Sequence, residues 1–143
     1  MGAWVPSEAD PEPTHRQADD DCPEAGWGLE GSVLEVETGT CSYGVLEQPL
    51  LAELWPGDEV ELVWWHNQLV SEEPATGHVL LTVGGHVLYE REVAIPHEPD
   101  AYTETVTVSE RVEAGEPVVL HLHNHGANSW SFLRVERLAA PAR

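Results

Sequence analysis

Lysine is missing from this chain altogether. Its six basic residues are all arginines, set against 26 acids, for a formal net charge of −20 over 143 residues. A nucleic-acid binder needs a basic footprint to neutralise phosphates, so nucleic acid is excluded as a partner. An anionic membrane surface is disfavoured for the same reason. Long apolar runs are missing too: none approaches the ~18 residues of a membrane span, and no transmembrane segment is expected. The first residues lack the charged-then-apolar pattern of a signal peptide, which points to a processed or clipped form. Pro6 stands where a myristoylation pattern wants Ser or Thr.

Motifs of common catalysis are equally scarce. The chain has no G-x-S-x-G elbow, no H-E-x-x-H pair and no EF-hand loop. A glycosidase needs two carboxyls at a set separation in one cleft, and scattered acids do not reveal such a pair, so no catalytic residue is assigned. Cysteine is limited to Cys22 and Cys41, too few for a zinc ribbon. A disulfide between them would close a loop of about 20 residues and contribute roughly 3 kcal/mol. Such a bridge belongs to an oxidising compartment.

What is present speaks of β-structure. Residues 1–21 carry three prolines, a run of three aspartates and little to bury, and read as an acidic, disordered tether. The rest, 22–143, reads as one domain, long enough for a two-layer core. Gly26-Trp27-Gly28-Leu29-Glu30-Gly31 matches G-x-G-x-x-G formally. It lacks the strand before and helix after that a dinucleotide site needs, so these glycines are assigned to a loop. Strand-like segments follow at 33–38, 48–54, 59–67, 78–83, 86–95, 102–108, 118–123 and 129–138. Gly84-Gly85 supplies a two-residue hairpin turn, and Pro56-Gly57-Asp58 another turn signal. About eight short strands without a helical period predict an all-β, antiparallel β-sandwich of jelly-roll form.

Thr40-Cys41-Ser42-Tyr43, Gln48-Pro49-Leu50-Leu51, Trp65-His66, Gly77-His78-Val79, Ala114-Gly115-Glu116-Pro117 and His123-Asn124-His125-Gly126 through Trp130 carry a resemblance. Over residues 40–138 the chain resembles a family of secreted or lipoprotein-borne domains of myxobacteria-like genomes. The resemblance implies a secreted or envelope-attached location and no particular activity. The general plan is also similar to jelly-roll carbohydrate-binding modules, which implies a sugar ligand and, often, a structural Ca²⁺.

Residues 118–130 hold the chemistry. In a strand, alternate side chains share a face. Val118, Leu120 and Leu122 therefore form a core face, and Val119, His121, His123 and His125 the other. Two imidazoles at i and i+2 stand about 7 Å apart at their bases and can converge on one ion; all three span about 13 Å, too far. His66, placed as last aromatic of its strand, is the candidate further ligand, and His78 a weaker one. Metal: His66, His121, His123 and His125, with Zn²⁺ the first ion to consider. The plain alternative is a row of strand-end and surface histidines.

A second constellation is aromatic and amide. Sugars stack on Trp faces while Asn bonds their hydroxyls, and the chain holds six Trp against one Phe. Trp65, Asn124, Asn128 and Trp130 are the candidate ligand-binding residues. Trp64 falls on a face expected to be core, and Trp130 lies near one. The leading expectation is a non-catalytic, extracellular or envelope-attached module binding carbohydrate. The alternative is a metal-binding protein or small metallohydrolase built on the histidines.

Overall fold

The computed structural model describes residues 4–138. Ten strands form two antiparallel five-stranded sheets packed face to face. In chain order they are β1 (Val5–Pro6), β2 (Trp27–Glu30), β3 (Val33–Glu37), β4 (Tyr43–Pro49), β5 (Glu59–His66), β6 (Ala75–Val83), β7 (His86–Ile95), β8 (Asp100–Thr107), β9 (Pro117–Asn124) and β10 (Ser129–Arg137). One sheet runs β1-β4-β9-β6-β7 and the other β2-β3-β10-β5-β8. The jelly-roll sandwich predicted by alternation is the fold found.

Alternation explains the two faces. Along β5, Val60, Leu62, Trp64 and His66 are buried while Glu59, Glu61, Val63 and Trp65 are not. Along β9, Val118, Leu120 and Leu122 enter the core between the sheets, whereas Val119 joins a small outer cluster with Tyr43 and Val45. At the centre Trp64 stacks on Tyr102, with centroids 4.0 Å apart, and on Trp130, 5.7 Å away. Gly77 makes room for this stack, since a Cβ there would meet the Trp130 ring at 2.7 Å. The Gly84-Gly85 turn forms as expected, both residues at positive φ between the paired strands β6 and β7, conformations that glycine adopts without cost.

Three segments differ from the sequence reading. The strand expected at 48–54 lies earlier, as β4, and ends at Pro49. Proline cannot donate to a ladder, and Leu51 beyond it is exposed. The glycine-rich stretch is not all loop: Trp27–Glu30 pairs with β3 through a turn at Gly31, which has φ 63°. The third difference concerns the expected tether. Residues 1–3 lie outside the described part, but residues 4–21 are seated on the sandwich. Trp4 is buried in the core, β1 pairs with β4, and Cys22 is bridged to Cys41. Composition undervalues this segment because a single tryptophan, a disulfide and a few polar contacts anchor it.

Candidate functional sites on the two outer faces

Strand register assembles the first site. On the outer face of the β4-β9-β6 layers, Tyr43 pairs with His123 and Val45 with His121, while His78 pairs with His123 and Leu80 with His121. The N-terminal segment crosses over this face and brings Asp10, His15 and Asp20 to it. The Tyr43 hydroxyl donates to Asp10, and His121 Nδ1 lies 2.9 Å from Asp10 Oδ1. Arg16 sits over the Tyr43 ring at 5.2 Å. His15 lies in a single 3-10 turn, Pro13–His15. Its ring centroid is 5.2 Å from that of His78, 5.8 Å from His121 and 6.0 Å from His123.

Two trios on this face bring ligand atoms within 4.8 Å of one another: His15, His78 and His121, and next to them Asp20, His123 and His125. Burial would raise the Asp10 carboxyl, but hydrogen bonds from Tyr43, the Glu12 backbone and His121 hold it below the usual carboxylate range. Burial pushes the His121 imidazole down, against the pull of Asp10. Burial, aided by neighbouring His125, takes His123 down to about 4. The lowered His121 and the ionised acid make the His121 ring the donor to Asp10. Burial and the adjoining Asp10 carboxylate drive the Tyr43 phenol well above its ordinary value.

The structure separates the predicted metal set. His121 and His123 share the outer face, with His125 just past the end of β9. His66 is elsewhere, buried on the inner side of the other sheet. Its Nδ1 donates to the Asn67 carbonyl at 2.8 Å, and its Nε2 accepts from the Tyr102 hydroxyl at 3.1 Å. It shares the inward face of Val60, Leu62 and Trp64, and both ring nitrogens are used there, so it is not available as a ligand alongside the other histidines. His15, Asp10, Asp20 and Tyr43 escaped the sequence reading because only strand register and the seated N-terminal segment bring them to the histidines.

The predicted sugar set is also dispersed. Trp130 is fully buried, and baring such a ring would forfeit roughly 4 kcal/mol of apolar burial. Asn124, also fully buried, donates to Thr38 Oγ1 and accepts from the Gly126 N–H. Asn128 holds a positive φ of 110°, donates to the Gln68 carbonyl and accepts from Ser129 N–H. These two amides shape the turn between β9 and β10. Trp65 alone of the set faces outward, partly exposed, on the second sheet. Ser131 and Ala101 flank it in register, with Glu35 beyond Ser131 and Gly28 beyond Glu35. Thr103 and Thr105 are exposed on the adjoining strand, and four residues back along β5 Glu61 accepts a 3.0 Å bond from Arg134. Small neighbours flank the indole, with the Thr103 hydroxyl and the Glu35 carboxylate near it in register.

No family model matches the chain, and no curated protein matches it; the resemblance to secreted domains of myxobacteria-like genomes therefore finds no support there. Among solved structures, the chain is similar to a non-crystalline cellulose specific carbohydrate-binding module, CBM28, with 11% identity and a TM-score of 0.54 over 85% of this chain and 88% of that one. A CBM4 structure is 16% identical with a TM-score of 0.49, covering 83% of this chain and 91% of that one. CBM61 in complex with β-1,4-galactotriose is 16% identical with a TM-score of 0.38, covering 76% and 73%. What the CBM28 comparison establishes is architecture, since one fold hosts many functions.

Proposed function

We propose that this chain is a non-catalytic binding module for carbohydrate, working outside the reducing cytoplasm, with Trp65 as its stacking platform. The observation that carries the reading is the outward indole of Trp65 between Ser131 and Ala101. A pyranose presents an apolar face to an indole and hydroxyls at its rim. Thr103 lies diagonally across from Trp65 on β8 and Glu35 stands beyond Ser131, hydrogen-bonding groups of the kind those hydroxyls need. The sandwich shared with CBM28 is compatible with this use, and the Cys22–Cys41 bridge suits an oxidising compartment.

The test is affinity electrophoresis against a panel of soluble glucans, galactans and xylans. Retardation by at least one polysaccharide is expected, abolished by Trp65→Ala with an unchanged circular dichroism spectrum. A flat response across the panel overturns the reading. Trp55, in the loop before β5, is also exposed; retardation that survives Trp65→Ala but disappears in Trp55→Ala would place the platform there and overturn the assignment of Trp65.

A further inference from the structure

We propose that the chain binds one divalent first-row transition metal ion through His15, His78 and His121, and that the ion clips the N-terminal segment onto the sheet beneath it. The site lies on the opposite side of the sandwich from Trp65, so it stands or falls independently of carbohydrate binding.

Four observations converge. The three imidazoles offer ring nitrogens within 4.8 Å of one another. His78 and His121 come from adjacent strands of a rigid sheet, and both are more than nine-tenths buried. Each has one nitrogen held by a carboxylate: His78 Nε2 lies 2.7 Å from Glu90 Oε1, and His121 Nδ1 lies 2.9 Å from Asp10 Oδ1. The opposite nitrogen of each, His78 Nδ1 and His121 Nε2, is buried and has no hydrogen-bond partner among the described residues.

Those two nitrogens matter most. A buried polar atom left unsatisfied costs about 1–3 kcal/mol, and here two occur on rings whose centroids are 5.3 Å apart. In the neutral tautomer that donates its other nitrogen to the carboxylate, each ring would present a lone pair at the free nitrogen. A carboxylate behind an imidazole is the usual outer support of a metal-bound histidine; it fixes the tautomer and raises ligand basicity. Here the arrangement occurs twice at one spot.

His15 completes the trio from the other side. Around Zn²⁺, nitrogens at 2.0–2.1 Å in a tetrahedron are about 3.3 Å apart. The exposed His15 side chain on its short turn can supply the closing movement, while the sheet residues stay fixed. Three imidazoles without a thiolate suit Zn²⁺, Cu²⁺ or Ni²⁺, and a net charge of −20 concentrates cations at the surface. The neighbouring Asp20, His123 and His125 trio lacks a carboxylate behind each ring among the described residues: its one acid, 3.7 Å from His123, would itself be a ligand.

The experiment titrates ZnCl₂ into untagged, EDTA-treated full chain by calorimetry. One ion per chain is expected, with binding about tenfold or more weaker in His15→Ala, whose exposed side chain can be removed without disturbing the core, and lost in His121→Ala. Arg16 is the first basic residue, and the next is Arg91, so tryptic cleavage after Arg16 reports on the N-terminal segment. Saturating Zn²⁺ should slow that cut by about tenfold in the native chain and not in His15→Ala. No saturable Zn²⁺ uptake overturns the proposal. So does uptake untouched by His15→Ala and abolished by His123→Ala/His125→Ala, which would move the ion to the other trio.

Discussion

Asp10 and His121 stand 111 positions apart in the sequence and 2.9 Å apart in the fold. The same carboxylate takes the Tyr43 hydroxyl, so one acid from the N-terminal segment satisfies two side chains of the sheet it crosses. Asp10→Ala should leave both donors without that acceptor and lower the stability of metal-free protein by about 1–3 kcal/mol. Urea denaturation in EDTA measures it. Hydrogen exchange should rise across residues 8–20 far more than in β5 or β9.

The Cys22–Cys41 bridge fixes the end of the same segment. Cys22→Ser/Cys41→Ser should cost roughly 3 kcal/mol through the unfolded state. The double variant should keep a β-type far-ultraviolet spectrum: Cys41 is buried in the core and Cys22 packs against it, but the strand ladders of the two sheets do not run through the bridge. A stability unchanged within about 0.5 kcal/mol of the bridged protein would contradict this.

Gly77→Ala tests the aromatic stack. The added methyl would meet Trp130 ring atoms at 2.7 Å, and Trp130 is wedged against Trp64. Overpacking of this kind costs about 1–3 kcal/mol, visible as a lower denaturation midpoint and a changed near-ultraviolet tryptophan signal.

Acid should weaken the fold through His66. Burial holds its imidazole below the ordinary value, against the opposing hydrogen bond to Asn67. The unfolded chain, titrating near 6.5, therefore takes up the proton first. The stabilisation is complete above about pH 6.5 and is lost as pH falls from there toward the folded-state value. The melting temperature in EDTA should drop between pH 7 and pH 5. His66→Gln should drop less steeply, keeping the part of the slope that buried His121 and His123 contribute in the same direction.

Much of the sandwich was legible because alternation in β5 and β9 reports burial directly: inward and outward residues alternate over all eight positions from Glu59 to His66, a period of two that a helix does not give. The hairpin at Gly84-Gly85 and the bridge between the two cysteines were readable for equally local reasons. The candidate sites were less so. Alternation parts His66, on the core side of β5, from His121, on the outer side of β9, but it does not show the N-terminal segment that covers His121. Asn124 and Asn128 look like ligand-binding amides, yet their hydrogen bonds are spent on the β9–β10 turn. His15 gave no local signal, since its partners are set by a register between strands more than sixty positions away.

The shortest strand has a consequence out of proportion to its length. β1 is two residues, one of them Pro6, laid on Leu46 and Glu47. With Ser7 N–H bonded to the Val45 carbonyl, it occupies the flank of β4 that β9 leaves free. An uncovered flank of that kind is a template on which another molecule's strand can add. Proline makes β1 itself a poor template in turn, having no N–H to offer. The N-terminal segment thus works as a stopper against self-association: a chain stripped of it would be expected to pair flank to flank and leave solution as β-rich aggregate, whatever ligand the intact protein holds.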